Sequence, residues 1–342
     1  MPKLTVIIPA YNAERYIEAS LSTLLRQSYR GFRVIVVNDG STDRTEEILR
    51  RLAEEDDRLT FITVPNGGPA MARNRALERV GEDTEYVMFM DADDELEPDT
   101  LEYALNGAKG ADMVIFGFLI RNPDGSIRRY FEPEQLIPAE KMGASLAGLY
   151  KANLLNQVWG KLYRRSLIED NRIRFPDYRW GEDRIFIYDC LEHIKSVSVL
   201  PDCKYHYIMH PGESLITKYY DKKADICLTI DARMEKLAEM FGAGGGEVFR
   251  YMFAKSIFSC ITMLFMPSCH LSCTEKRSYV RRIVENERVR RRCRDCFGGA
   301  AVNLLCAVLR TGSVTLNMLV FRFVAAAGQI APALFTRLKH RK

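Results

Sequence analysis

Short apolar runs and segments of helical spacing take turns along the first third of the chain. LTVIIP at 4–9 and RVIVVND at 33–39 are β-branched apolar runs of strand length, and LTFITVP at 59–65, EYVMFMD at 85–91 and ADMVIFGF at 111–118 continue the series. Between them, AERYIEASLSTLLRQS at 13–28 sets Tyr16, Ile17, Leu21, Leu24 and Leu25 on one helical stripe. STDRTEEILRRLAEE opens with Ser41 as an N-cap, and PAMARNRALERV carries Pro69 where a first-turn proline fits. Strand, helix, strand at this spacing predicts right-handed crossovers and a doubly wound, mostly parallel α/β sheet covered on both faces.

Ligands of such sheets bind beyond the carboxyl ends of the strands. Those ends read PAYN, NDGSTD, PNGGPA and DADDE, and they are expected to converge on one crevice. The last is the most demanding. Asp91, Asp93, Asp94 and Glu95 follow a buried run, where like charges repel and lose hydration. A hard divalent cation shared with a diphosphate would resolve the conflict; the same acids also suit a helix start. Asp39, at the end of its strand, can accept hydrogen bonds from a nucleobase or ribose, with Gly40 allowing close backbone approach, or can simply form an Asx turn. Tyr11 offers a ring for stacking a base, or a partly buried core aromatic.

Composition places the 342-residue chain among globular proteins, 47% hydrophobic and 27% charged. A net charge of +4 does not by itself imply nucleic acid. Nine scattered cysteines read as reduced thiols, although Cys269, Cys273, Cys293 and Cys296 have loosely zinc-like spacing. MPKLTVIIPAYN lacks the ordered parts of a secretory leader, so a cytoplasmic location is expected.

As an ordered set, VIIPAYNAERYIEASLSTLLRQSY, VIVVNDGSTDRT, NGGPAMARNRAL and FMDADDELEPDTL resemble the family 2 glycosyltransferases, inverting enzymes of GT-A fold that use nucleotide-activated sugars. The resemblance covers residues 3–120, resumes at WGKLYRRSLIEDNRIRFPDYRWGEDRIF and fades near residue 220. It implies a GT-A catalytic domain over 1–220, with a nucleotide-sugar half at 1–120 and an acceptor half at 121–220, followed by a helical region over 221–342.

The resemblance also implies roles. Pro9, Tyr11 and Asp39 match nucleoside contacts, with Asp39 facing the base; Asn66, Gly67 and Arg73 match the loop and helix start that close over the donor. Asp91 and Asp93 match the DxD element that takes Mn²⁺ or Mg²⁺, with Asp93 ahead of Asp91 as the direct ligand. Asp183 in RWGEDRIF matches the catalytic base; inversion requires a carboxylate to take the acceptor's proton opposite the leaving diphosphate. The pattern departs at KYHYIMHPGESLIT, where Ile208 and His210 stand in place of basic side chains. His210 and Ser214 are the remaining donor-diphosphate candidates there, and His210 equally suits a loop without a role.

The expected activity is transfer from a nucleotide-sugar donor, a UDP-sugar, to a glycan acceptor, lipid-linked in cell-surface polysaccharide synthesis. A catalytically inactive member that binds nucleotide or glycan in an assembly complex is the alternative. A nucleotidyltransferase would need a Gly-rich phosphate loop that PAYNAER does not supply.

Arginine concentrates in RRIVENERVRRRCR, seven within 281–294, without the interleaved aromatics of a nucleic-acid site. The final SVTLNMLVFRFVAAAGQIAPALFTRLKHRK places Thr315, Arg322, Gln329 and Thr336 seven residues apart, about two helical turns, making a narrow polar stripe on an apolar helix. A span would bury Arg322 at the bilayer centre at high cost. The preferred reading is an interfacial helix on an anionic membrane surface, peripheral on the inner face of the cell membrane, with packing on the domain left open.

Overall fold

A computed structural model describes residues 3–210, 219–244, 246–294 and 299–330. The chain divides into two compact units, one of 1–212 with 237–243 and the other of 213–236 with 244–342.

The first unit is built on one twisted sheet. Its strands are β1 (Leu4–Ala10), β2 (Phe32–Asn38), β3 (Leu59–Thr63), β4 (Tyr86–Phe89), β5 (Glu95–Leu96), β6 (Met113–Arg121), β7 (Ile127–Tyr130), β8 (Gln135–Pro138), β9 (Lys161–Arg164) and β10 (Ser196–Ile208). Its helices are α1 (Ile17–Leu25), α2 (Thr45–Glu55), α3 (Pro69–Leu77), α4 (Thr100–Gly107), α5 (Met142–Lys151), α6 (Arg165–Asp170) and α7 (Glu182–Leu191). The strand order is β3-β2-β1-β4-β9-β6-β10-β5, with β7 on β6 and β8 on β10. β1, β2, β3 and β4 pair in parallel, as the alternation predicts. Val6, Ile8, Val34, Val36, Met88 and Phe89 are fully buried, which is why these strands are continuous apolar runs rather than alternating ones.

The fifth apolar run, β6, does not join β4. β9 lies between them, antiparallel to both, with Met88 and Val114 each opposite Leu162. Four residues of WGKLYRR thus reach the middle of the sheet and bring their preceding loop to its carboxyl edge.

Two local expectations change. α2 starts at Thr45, not Ser41; Asp43 Oδ1 accepts the Thr45 amide at 3.0 Å, and Ser41 Oγ instead accepts the Asn12 amide at 2.9 Å. Asn12 Oδ1 in turn accepts the Thr42 amide at 2.8 Å, so the loops after β1 and β2 are stitched together. The DADDE acids do not begin a helix: the last of them, Glu95, opens β5, and α4 starts only at Thr100. Pro69 is the first residue of α3, as its ring geometry favours.

The second unit is helical: α8 (Lys223–Met240, whose last turn falls in the first unit), α9 (Gly246–Thr262), α10 (Cys273–Glu285), α11 (Glu287–Arg292), α12 (Ala300–Arg310) and α13 (Val314–Ile330). A Ser272–Glu275 capping box starts α10. Gly246–Phe265 is long and apolar enough to cross a membrane, but half of its most apolar stretch is buried, with Phe253, Ile257 and Ile261 inward. It is a core helix.

The arginine run is not simply a solvated or lipid-facing stripe. Arg292 grips buried Asp231 at 2.6 Å, and Arg288 and Arg291 bond Glu235 at 2.7 and 2.9 Å. Nor does α13 lie free: it buries Asn317, Phe321 and Ala325, with the Phe321 ring 5.7 Å from that of Phe258 on α9. Thr315 and Arg322 are on its exposed side, whereas the Gln329 side chain and Thr336 lie outside the described residues. Cys269 and Cys293 are buried and Cys273 is exposed; Cys296 lies outside the described residues.

Candidate active site

The loops expected to converge do meet where β1, β2 and β4 end. Asp39, just past β2, is 3% exposed and accepts the Gly67 and Gly68 amides on its two oxygens, each at 2.8 Å. Asn66 donates its side-chain amide to the Asp39 carbonyl at 2.9 Å. Gly40 has φ of +70°, and a Cβ there would stand 2.9 Å from the Asn66 nitrogen, so only glycine fits. Asp39, Asn66 and Gly67 therefore form one assembly, in which Asp39 first holds the PNGGPA loop. Each carboxylate oxygen has a second lone pair with which to meet a base. Pro9 pairs with Val37 inside the sheet, and Tyr11, just beyond β1, is 53% exposed, as a stacking face requires.

Arg73 is the centre of the site. It lies on α3, its side chain 4% exposed, and donates to Asp91 Oδ1 at 2.8 Å and to Asp183 Oδ1 at 3.0 Å, with Glu182 at 3.6 Å. Its guanidinium sits over the Phe175 ring, 5.4 Å from the centroid. The next residue, Asn74, exchanges two hydrogen bonds with the Phe175 backbone, at 2.8 and 2.9 Å. One turn of α3 thus ties the end of β4 to the loop that carries Gly181, Glu182 and Asp183. Burial works against the Arg73 charge, but Asp183, Asp91 and Glu182 outweigh it and hold the guanidinium above its ordinary pKa.

Asp183 sits in the first turn of α7, reached through Gly181 in the left-handed conformation with φ of +83°. Its second oxygen accepts the Val158 amide at 3.1 Å. Burial, reinforced by Asp91, raises its pKa above 3.8, while Arg73 and the Val158 amide pull the other way. Glu182 is pushed up to about 7, first by burial and then by Asp183. A carboxylate of raised basicity, fixed in orientation by two donors, is suited to taking a proton.

The acidic cluster splits into two kinds. Asp94 is fully buried, accepts the Tyr205 hydroxyl at 2.6 Å and the Ile208 amide at 3.0 Å, and anchors β10. Burial, with Asp91 and Asp93 adding repulsion, raises its pKa well above the usual range. Asp91 and Asp93 keep 30% and 39% of their side chains exposed at the mouth. His210 stacks on Tyr16, with ring centroids 4.0 Å apart, and its Nε2 is 3.5 Å from Asp93 Oδ2, so the structure brings it to the cluster. Ser214 lies outside the described residues. Among the described residues no three His, Cys, Asp or Glu side chains gather as a protein-only metal site. Two carboxylates nevertheless fit Mg²⁺ or Mn²⁺, hard ions held by one or two carboxylates together with water and substrate phosphate oxygens.

The pattern of the sequence did not single out Tyr205, Phe175, Val158 or the bridging function of Arg73. The spacing of Tyr205 and Tyr207 in KYHYI, on one face of a strand, was the available signal; Trp159 stacks on Tyr205 at 4.5 Å.

Comparison with known proteins identifies the family and the fold. The sequence profile of "Glycosyl transferase family 2" matches residues 5–184. The uncharacterized glycosyltransferase EpsJ of Bacillus subtilis is 32% identical over 62% of this chain and 62% of its own length. The poly(ribitol-phosphate) beta-N-acetylglucosaminyltransferase TarS of Staphylococcus aureus is 29% identical over 64% of this chain and 38% of its own. The chain thus spans less than two thirds of either relative. The solved structure of S. aureus TarS with UDP-GlcNAc superposes with a TM-score of 0.71 at 22% identity, covering 96% of this chain and 92% of that one, which establishes the shared fold. With the family profile covering more than half its residues and the GT-A sheet beneath the site, this chain belongs to glycosyl transferase family 2.

Proposed function

We propose that the protein is an inverting glycosyltransferase that moves a sugar from a nucleotide-sugar donor, a UDP-sugar, to a hydroxyl of a lipid-linked glycan acceptor in cell-surface polysaccharide synthesis. The carrying observation is the Arg73 bridge. One buried guanidinium bonds both Asp91 and Asp183, so the carboxylate on the diphosphate side and the carboxylate on the acceptor side stand next to each other. In-line displacement needs that neighbourhood: the acceptor oxygen attacks the anomeric carbon from one face, Asp183 takes its proton, and the bond to the diphosphate oxygen breaks on the other. Asp39, Asn66, Gly67, Pro9 and Tyr11 hold the nucleoside, and the TarS complex with UDP-GlcNAc supports a uridine donor. Asp91 and Asp93 would hold Mn²⁺ or Mg²⁺, which when bound supplies charge stabilisation to the leaving diphosphate. His210 adds a donor on the same side.

An enzyme acting on such an acceptor belongs in the cytoplasm, peripheral on the inner face of the cell membrane, and that is the location we propose. The support is the exposed apolar side chains of α12 and α13: Leu304 on the first and Leu319 and Phe323 on the second are 64%, 62% and 75% exposed. Exposed Arg322 lies between the last two, and exposed Arg290 and Arg294 add positive charge on the same unit. Apolar side chains interleaved with arginine suit an anionic lipid surface.

The test of the reaction is Asp183→Asn. It keeps shape but cannot take a proton, so transfer should fall by roughly 10²-fold or more, with UDP affinity unchanged. Normal transfer by the variant would refute the assignment; donor hydrolysis absent in the unmodified protein, with tight UDP binding, would favour the inactive-partner reading.

A further inference from the structure

Just before β9 the chain turns three successive carbonyls inward. Lys161, 1% exposed, donates from Nζ to Gln157 O at 2.7 Å and to Trp159 O at 3.2 Å. The carbonyl between them, Val158 O, accepts the hydroxyl of fully buried Tyr163 at 3.0 Å. Lys161 and Tyr163 are two apart on β9 and so project from the same face of the strand. The amide of the residue they bracket, Val158, donates to Asp183 Oδ2.

An ammonium is an expensive group to bury. Its surroundings depress the Lys161 pKa to about 7 through burial, with Asp183 opposing the shift. A turn that only had to close could be filled by an apolar side chain. This one presents two carbonyls to a single point, and an ammonium, with three donors and no acceptor, can satisfy both at once.

We propose that Lys161 is a positioning residue for the transfer reaction: with Tyr163 it clamps the backbone of residues 157–159 so that the Val158 amide is fixed against Asp183. Arg73 sets one oxygen of the base from the α3 side, and this clamp sets the other from the β9 side. The assignment rests on Asp183 being the base. Lys161 itself touches no reacting atom; it acts through a main-chain amide that no substitution at Val158 other than proline removes.

The experiment is a double-mutant cycle on transfer, with UDP affinity measured in parallel. Lys161→Met keeps the unbranched chain out to the ε position and removes the donors. It should lower kcat by about 10-fold to 10²-fold, the scale of a small misplacement of a catalytic group, and leave UDP affinity unchanged. Tyr163→Phe removes the second strut without a cavity and should lower kcat by a smaller factor, which keeps the test decisive if Lys161→Met does not fold. Combined with Asp183→Asn, either substitution should cause almost no further loss, because it acts through that carboxylate. An unchanged kcat in folded Lys161→Met, an unchanged kcat in Tyr163→Phe, or losses that multiply fully with Asp183→Asn would overturn the proposal. If Asp183→Asn alone transfers normally, the base assignment fails first, so the two failures are distinguishable.

Discussion

Replacing Arg73 by methionine removes the cation that three carboxylates share while leaving an apolar side chain over Phe175. In the folded protein Asp183, Asp91 and Glu182 lie 3.0, 2.8 and 3.6 Å from the guanidinium, whose side chain is 4% exposed. Removing one partner of a buried ion pair costs about 3–5 kcal/mol, because the remaining charge is stranded. With a urea slope of about 3 kcal/mol per M, the unfolding midpoint falls by roughly 1–2 M. Both tryptophans, Trp159 and Trp180, lie in the first unit, so their fluorescence reports on that unit. The loss should also depend on pH. Arg73 pulls down the pKa values of Glu182 and Asp183, which burial raises; without it both rise further. A carboxyl group whose folded pKa exceeds its unfolded value favours the fold at low pH and loses that contribution as pH rises through the folded value. The variant's deficit should therefore be largest above about pH 7, where Glu182 must ionise without its cation, and shrink on the acid side, where Glu182 and Asp183 take up protons. A midpoint shift under about 0.3 M, or one that is the same on the acid and alkaline sides of that pH, would refute the picture of a cation holding buried acids ionised.

Asp93→Ala should abolish thermal stabilisation by UDP-sugar with Mn²⁺ while leaving the melting temperature of the protein alone, since it removes a half-exposed ligand and empties no core volume; full activity insensitive to chelator would contradict the metal assignment. Because Asp183 must be ionised to accept a proton and its pKa is raised, kcat should fall on the acid side with a midpoint above 3.8; a midpoint at or below that value would mean another group is the base. Leu319→Asp with Phe323→Asp should release the protein from anionic vesicles without unfolding it, both side chains being exposed, and salt should weaken the binding of the unmodified chain; sedimentation unaffected by either would exclude this face as the lipid contact.

The sequence by itself determined the parallel half of the sheet and the contents of its mouth. Continuous apolar runs are satisfied by burial on two faces, and the crossover rule then fixes the hand of the connections between LTVIIP, RVIVVND, LTFITVP and EYVMFMD, whose following loops gather at the carboxyl edge. The positions of Asp39, Asn66, Gly67, Asp91 and Asp93 at that edge were legible for that reason: each is a few residues past the carboxyl end of one of these strands. Tertiary structure alone decided the rest. β9 is only Lys161–Arg164, too short to announce itself, and its insertion between β4 and β6 is long-range pairing that no local periodicity encodes. That insertion carries Val158 to Asp183, just as α3 carries Arg73 to both Asp91 and Asp183. The difference between Asp94, sealed under Tyr205, and Asp93, open at the mouth, is likewise invisible in DADD, where neighbouring residues have the same chemistry and opposite surroundings. The last helix shows the same division. Its spacing revealed a polar stripe, but which side it buries was set by Phe258 on α9, a partner more than fifty residues away in the chain.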